Sequence, residues 1–208
     1  MNTNAVPDET LACEAQAGSM SSFEELVYRY ESRIFQFLRC RVGGVHDAQD
    51  LTQSVFVRAF RKIGKFNPRY KFATWLFTIA RRESINHYRR QSLMYVKFLP
   101  EELFRVGDPG REAALRDARE KLWELARHRL PENQFAALYL RAAEQMSIKD
   151  VARALQKTQT HVKVLLHRAR RQMVKELVEG SEELAAIRDT AREATGTAVV
   201  KVARAESN

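Results

Sequence analysis

Apolar residues recur at three- and four-residue intervals along most of the chain, the period of helices buried on one side. Phe23, Leu26, Val27, Tyr30, Ile34 and Leu38 form the first stripe, which runs to Gly43-Gly44. Ser21 or Ser22 offers its N-cap, with Glu24 and Glu25 three residues further on. A second helix starts near Asp47, carries Leu51, Val55, Phe56, Ala59 and Phe60, and stops at Gly64. The segment from Lys65 to Lys71 contains Asn67-Pro68 and is expected to be a loop. The third helix carries Trp75, Leu76, Ile79 and Ala80 on one side and runs to about Gln91.

The pattern then breaks. Residues 93–111 mix apolar and acidic positions and end on Gly107-Asp108-Pro109-Gly110, a cluster that reads as a linker. A second lobe is expected from Glu112, its first helix striped by Leu115, Ala118, Leu122 and Leu125. Pro131 opens the next helix, which buries Phe135, Leu138 and Tyr139. The pattern therefore predicts an all-α chain of two small helical domains, divided as a mobile N-terminus at 1–20, a first domain at 21–92, a linker at 93–111, a second domain at 112–178 and a tail at 179–208. A short helix from Glu182 to Glu193 would fit the charged, alanine-rich tail.

The second lobe ends in a recognisable unit. Ser147-Ile148-Lys149-Asp150 has the form of a capping box, followed by Ile148, Val151, Ala152 and Leu155 on one stripe. Gln156-Lys157 interrupts it, at a position where many such turns carry glycine, and Thr158 offers a new N-cap. The helix after it buries Val162, Leu165, Leu166, Ala169 and Met173 and turns His161, Lys163, Val164, His167, Arg168, Arg170 and Arg171 outward. A short helix, a tight turn and a basic second helix make a helix-turn-helix, whose outer face suits the DNA major groove. A basic amphipathic helix with a merely solvated face would explain the charge but not the paired caps.

Charge sharpens this picture. The chain holds 35 Lys and Arg against 26 Asp and Glu, a formal net charge of +9, which favours a polyanionic partner. The first lobe contributes a second constellation. Phe66, Tyr70, Lys71, Phe72 and Trp75 lie in or beside the loop, and Arg81, Arg82, Asn86, His87, Arg89 and Arg90 follow, the two arginine pairs forming a stripe along the helix. Aromatic rings stack on unpaired bases and cations follow the backbone, so the mixture suits melted DNA. Trp75, with Leu76 and Ile79 nearby, fits a core role better.

Other chemistry finds little footing. Cys13 and Cys40 belong to no C-x-x-C pair, which argues against a zinc site and fits a reducing cytoplasm, with Cys40 a buried thiol. Residues 1–20 lack the profile of a signal peptide, and no apolar run reaches membrane-spanning length. There is no Gly-rich phosphate loop, no H-E-x-x-H and no G-x-S-x-G, so an enzyme is disfavoured and no cofactor is implied.

Three segments in order resemble the extracytoplasmic-function (ECF) sigma factors of the sigma-70 family. Asp47 to Phe60 looks like their polymerase-docking helix, and Phe72 to Arg82 like their promoter-melting segment. Leu130-Pro131-Glu132 and His161-Val162-Lys163 through Arg170 look like their second DNA-binding domain. The resemblance covers residues 21–177 and implies a cytoplasmic transcription initiation factor. Its partners would be the β′ and β subunits of core RNA polymerase, promoter DNA and an anti-sigma factor.

The resemblance also implies roles for particular residues. Asp50, Gln53, Ser54 and Arg58 would dock on polymerase. Lys71 and Phe72 would hold a flipped base of the −10 element, with Arg82, Asn86, Arg89 and Arg90 along the strand. Lys163, Val164, His167 and Arg168 would lie in the groove of the −35 element, with Arg171 at its phosphates. Gln49 and Ser54 stand where the family usually has acids, and Val164 where it usually has serine. The alternatives are an autonomous helix-turn-helix regulator, which leaves the aromatic-basic loop unexplained, and a decoy for an anti-sigma factor, which has no need of the cations on both helices.

Overall fold

In the computed structural model the described residues are 6–42, 44–94 and 111–179, and they form helices and turns only. Eight α-helices follow one another among them: α1 Asp8–Gln16, α2 Met20–Val42, α3 Val45–Lys62, α4 Phe72–Met94, α5 Arg111–Arg129, α6 Glu132–Ala142, α7 Ile148–Leu155 and α8 Gln159–Glu179. A 3-10 turn, Ile63–Lys65, follows α3. The linker lies largely outside the described residues, as do the tail beyond 179 and its expected helix from Glu182 to Glu193.

Helices α1–α4 make the first lobe. Leu26, Ile34, Phe37 and Leu38 of α2, Val55 of α3 and Phe72, Leu76 and Phe77 of α4 are fully buried there. Each such side chain contributes about 1.5–3 kcal/mol by leaving water. Helices α5–α8 make the second lobe, around Leu140, Val151, Leu155 and Val162.

The N-terminus corrects the expectation of a mobile segment at 1–20. Residues 8–16 are helix α1, which buries Leu11, Ala12 and Ala15 against the first lobe. Only one of these three is large, so the stripe is faint in sequence, and packing on neighbouring elements stabilises the helix where propensity alone does not. The expected N-cap moves as well. Helix α2 begins at Met20, and Ser19 Oγ accepts the Ser22 N–H at 3.3 Å, while Ser22 is buried with its hydroxyl donating to Glu14 at 2.6 Å.

The two lobes pack on each other. Phe37 of α2 meets Tyr139 of α6 edge to face, ring centres 5.2 Å apart. Arg33 reaches Glu144 at 2.6 Å, and Arg39 reaches Glu120 at 3.3 Å. Arg41 is only 4% exposed, donates to Ser84 Oγ at 2.7 Å and lies 3.3 Å from Glu132.

Candidate nucleic-acid interface

The recognition unit forms as its caps dictate. Ser147 Oγ accepts the Asp150 N–H at 3.1 Å and donates to the Asp150 carboxylate at 2.6 Å, which starts α7. The helix ends with Gln156 in the left-handed region (φ 56°, ψ 45°). Gln156 N–H donates to Arg153 O at 3.1 Å and Lys157 N–H to Ala152 O at 2.9 Å, a Schellman turn usually built on glycine. Thr158 Oγ1 then accepts the His161 N–H at 3.1 Å and starts α8. Capping thus fixes the angle between the two helices locally, before any packing is counted.

Helix α8 buries Val162, Leu165, Leu166, Ala169 and Met173. Lys163, Val164, His167, Arg168 and Arg171 are all exposed and recur four and eight residues apart, so they share one face. Arg168 and Arg171 also line an open cleft of about 990 Å³ with Arg129 and Lys175. Arg129 pairs there with Glu176 at 3.1 Å.

The aromatic-basic segment sits at the top of α4. Asn67, Pro68, Arg69, Tyr70 and Lys71 are exposed. Phe72 is not. It is fully buried in a cluster with Tyr30, Phe66 and Trp75, ring centres 5.4, 5.7 and 5.6 Å away. A ring enclosed on its faces and edges has no surface to offer a base, so the expected base-binding role of Phe72 is corrected to a core role. Trp75 is half-buried in the same cluster.

Arg82, Asn86 and Arg89 are exposed along α4, while the side chain of Arg90 lies outside the described residues. Arg81 does not share their face, which corrects the expected stripe of two arginine pairs. Its guanidinium donates to Glu132 at 2.9 and 3.0 Å and to Asn133 at 2.8 Å, across the lobe interface. On α3, Asp50, Gln53, Ser54 and Arg58 are all exposed on one side, with Arg58 2.8 Å from Glu83 of α4.

Sequence reasoning missed one pairing that bears on the site. Arg153 of α7 lies 3.8 Å above the ring of Tyr70, the exposed aromatic of the loop. No local pattern pairs the two residues, and they meet only because the lobes close. Among the described residues, no cluster of His, Cys, Asp or Glu could hold a metal ion, and no helix is long and apolar enough to cross a membrane.

Residues 26–93 match the family model for sigma-70 region 2, and residues 124–173 match that for sigma-70 region 4. The RNA polymerase sigma-H factor of Pseudomonas aeruginosa is 32% identical over 181 residues, 82% of this chain and 93% of that protein. The chain belongs to the ECF sigma factors of the sigma-70 family.

Relatives named as ECF sigma factors agree. The ECF RNA polymerase sigma factor SigE of Mycolicibacterium smegmatis is 31% identical over 170 residues, 80% of this chain. BldN of Streptomyces coelicolor is 30% identical over 165 residues, 77% of this chain. This sigma factor spans just under two thirds of the length of these two, 66% and 62%. Among solved structures, CnrH in complex with the cytosolic domain of CnrY superimposes with a TM-score of 0.65 at 26% identity, covering 84% of this chain and 99% of that one.

Proposed function

We propose that this chain binds core RNA polymerase and directs promoter recognition, DNA melting and transcription initiation, under the control of an anti-sigma factor, in the cytoplasm. It carries no catalytic chemistry of its own. The observation that carries the reading is the coexistence of two cationic surfaces, one on α8 and one on the loop and outer face of α4, beside an uncovered polar face on α3.

Each surface has a task. Region 2 is proposed to span residues 21–92 and region 4 residues 112–178. Asp50, Gln53, Ser54 and Arg58, exposed side by side, form the polymerase-docking face. Tyr70 and Lys71 meet the melted −10 strand, with Arg82, Asn86, Arg89 and Arg90 along its backbone. Lys163, Val164, His167 and Arg168 enter the major groove at −35, and Arg171 bonds phosphate there. CnrH was solved in complex with the cytosolic domain of CnrY, which supports a protein partner for this chain, and the resemblance to ECF sigma factors makes that partner an anti-sigma factor.

The alternative is an autonomous duplex-binding regulator, favoured by the complete helix-turn-helix alone. Gel-shift assays on promoter duplex separate the two. The sigma reading predicts a specific complex with core polymerase and weak, salt-sensitive binding without it. A specific complex formed by the chain alone would favour the regulator.

A further inference from the structure

Helix α1 carries none of the docking or DNA-reading residues. Its polar side chains reach both ends of the loop in front of α4. Gln16 Nε2 donates to the carbonyls of Ile63 and Phe66, each at 2.8 Å, where the chain leaves the 3-10 turn. Glu9 Oε1 accepts the Phe72 N–H at 3.0 Å, where α4 begins. Glu9 and Gln16 lie seven positions apart on the helix, about 10 Å of rigid rod.

The rod is itself fixed to the lobe. Asp8 accepts the Tyr30 hydroxyl at 2.5 Å and pairs with Arg29 at 2.7 Å, and Glu14 accepts the Ser22 hydroxyl at 2.6 Å. Tyr30 in turn packs edge to face on Phe72. The Phe72 amide is one of the helix-start donors without a partner inside α4, and a carboxylate is the favoured acceptor there. Between the two anchored ends stand Asn67 to Lys71, all exposed.

We infer that Glu9 and Gln16 are positioning residues for promoter reading: α1 is a clamp that sets the path of the 63–72 loop, and so the pose of Arg69, Tyr70 and Lys71 against unpaired bases. The inference rests on the proposed role of this loop at the −10 element. Freed at either end, the loop would still carry its cations and would still attract DNA. It would lose the fixed geometry by which one base is preferred over another.

The test uses the full chain bound to core polymerase and a promoter fragment from which the wild-type holoenzyme initiates. Single-base replacements through its melted segment provide the comparison templates. The readout is the ratio of initiation on the original template to that on each replacement. A misfolded fraction lowers both alike and leaves the ratio unchanged.

Glu9→Ala removes one anchoring hydrogen bond and Gln16→Glu removes two, so the ratio should fall by about fivefold in the first, the weight of one hydrogen bond, and by at least as much in the second. Glu9→Gln keeps an acceptor and Gln16→Lys keeps a donor, so both should retain most of the wild-type ratio. Unchanged ratios in Glu9→Ala and Gln16→Glu would overturn the inference, as would an equal fall in Glu9→Gln. A wild-type holoenzyme with no base preference would overturn the sigma reading itself, and the clamp with it.

Discussion

Arg81 on α4 grips Glu132 at the start of α6 through two parallel hydrogen bonds, Nε to Oε1 at 2.9 Å and Nη2 to Oε2 at 3.0 Å. The paired geometry ties the first lobe to the second. The same carboxylate faces Arg41, whose guanidinium burial pushes below its usual pKa while Glu132 opposes that shift. With Tyr70 beneath Arg153, the closed arrangement covers part of the loop with the helix-turn-helix. Tyr70, proposed to meet the −10 strand, is thereby engaged by α7 in the closed arrangement.

Glu132→Ala should therefore open the molecule. It strips the carboxylate from Arg81 and from the buried Arg41 at once, weakening the closed arrangement by about 1–3 kcal/mol. Small-angle scattering of the free protein should show a larger radius of gyration than the wild type. An unchanged radius would mean that the aromatic packing of Phe37 on Tyr139 holds the lobes without the ion pairs.

Cys40 reports on the same interface. Burial pushes its thiol from an ordinary 9.0 up to about 11, with Glu120 and Arg127 of α5 close enough to add opposing influences. The raised value means the native state holds the proton more tightly. The associated stability is complete below about pH 9 and is lost as pH rises through about 11. In a Cys13→Ser background, alkylation at about pH 8, below the thiol's ordinary value, should be slow and should accelerate in Glu132→Ala. Fast alkylation of the closed protein would contradict the burial of this thiol.

Lys163→Ala combined with Arg168→Ala should weaken promoter binding by the holoenzyme and flatten its salt dependence. Every phosphate that goes unneutralised lowers the slope of log affinity against log salt by roughly one. Affinities measured from low to moderate salt give that slope directly. An unaltered slope would remove both side chains from the phosphate backbone.

Phe72→Ala should cost about 3–5 kcal/mol of stability, because it empties a fully buried site between Tyr30, Phe66 and Trp75. Phe72→Leu should cost less. Chemical denaturation of the full chain measures both. A near-wild-type midpoint for Phe72→Ala, with promoter opening abolished, would restore the ring to a base-binding role.

The helices of both lobes were legible because long amphipathic stripes announce themselves, and the α7–α8 turn because Ser147 and Thr158 are strong caps. Gln156 was legible as a departure, and it adopts the left-handed conformation that glycine usually supplies. Helix α1 was not, since Leu11, Ala12 and Ala15 make a weak stripe that only tertiary packing rewards. Phe72 and Tyr70 are both aromatics beside a loop, and only the structure separates the buried ring from the exposed one. Arg81 and Arg82 are neighbours in sequence but about 100° apart around the helix, so one serves the interface and the other solvent. The Arg81–Glu132 and Tyr70–Arg153 pairings join distant segments, and no local pattern encodes them.

The central claim is that this chain, riding on core polymerase, selects where transcription starts. Run-off transcription from genomic fragments, with purified core and the full chain, measures that directly. The account predicts discrete transcripts from particular fragments that core alone does not make. Failure of the chain to associate with core, or transcripts no more selective than those of core alone, would contradict it.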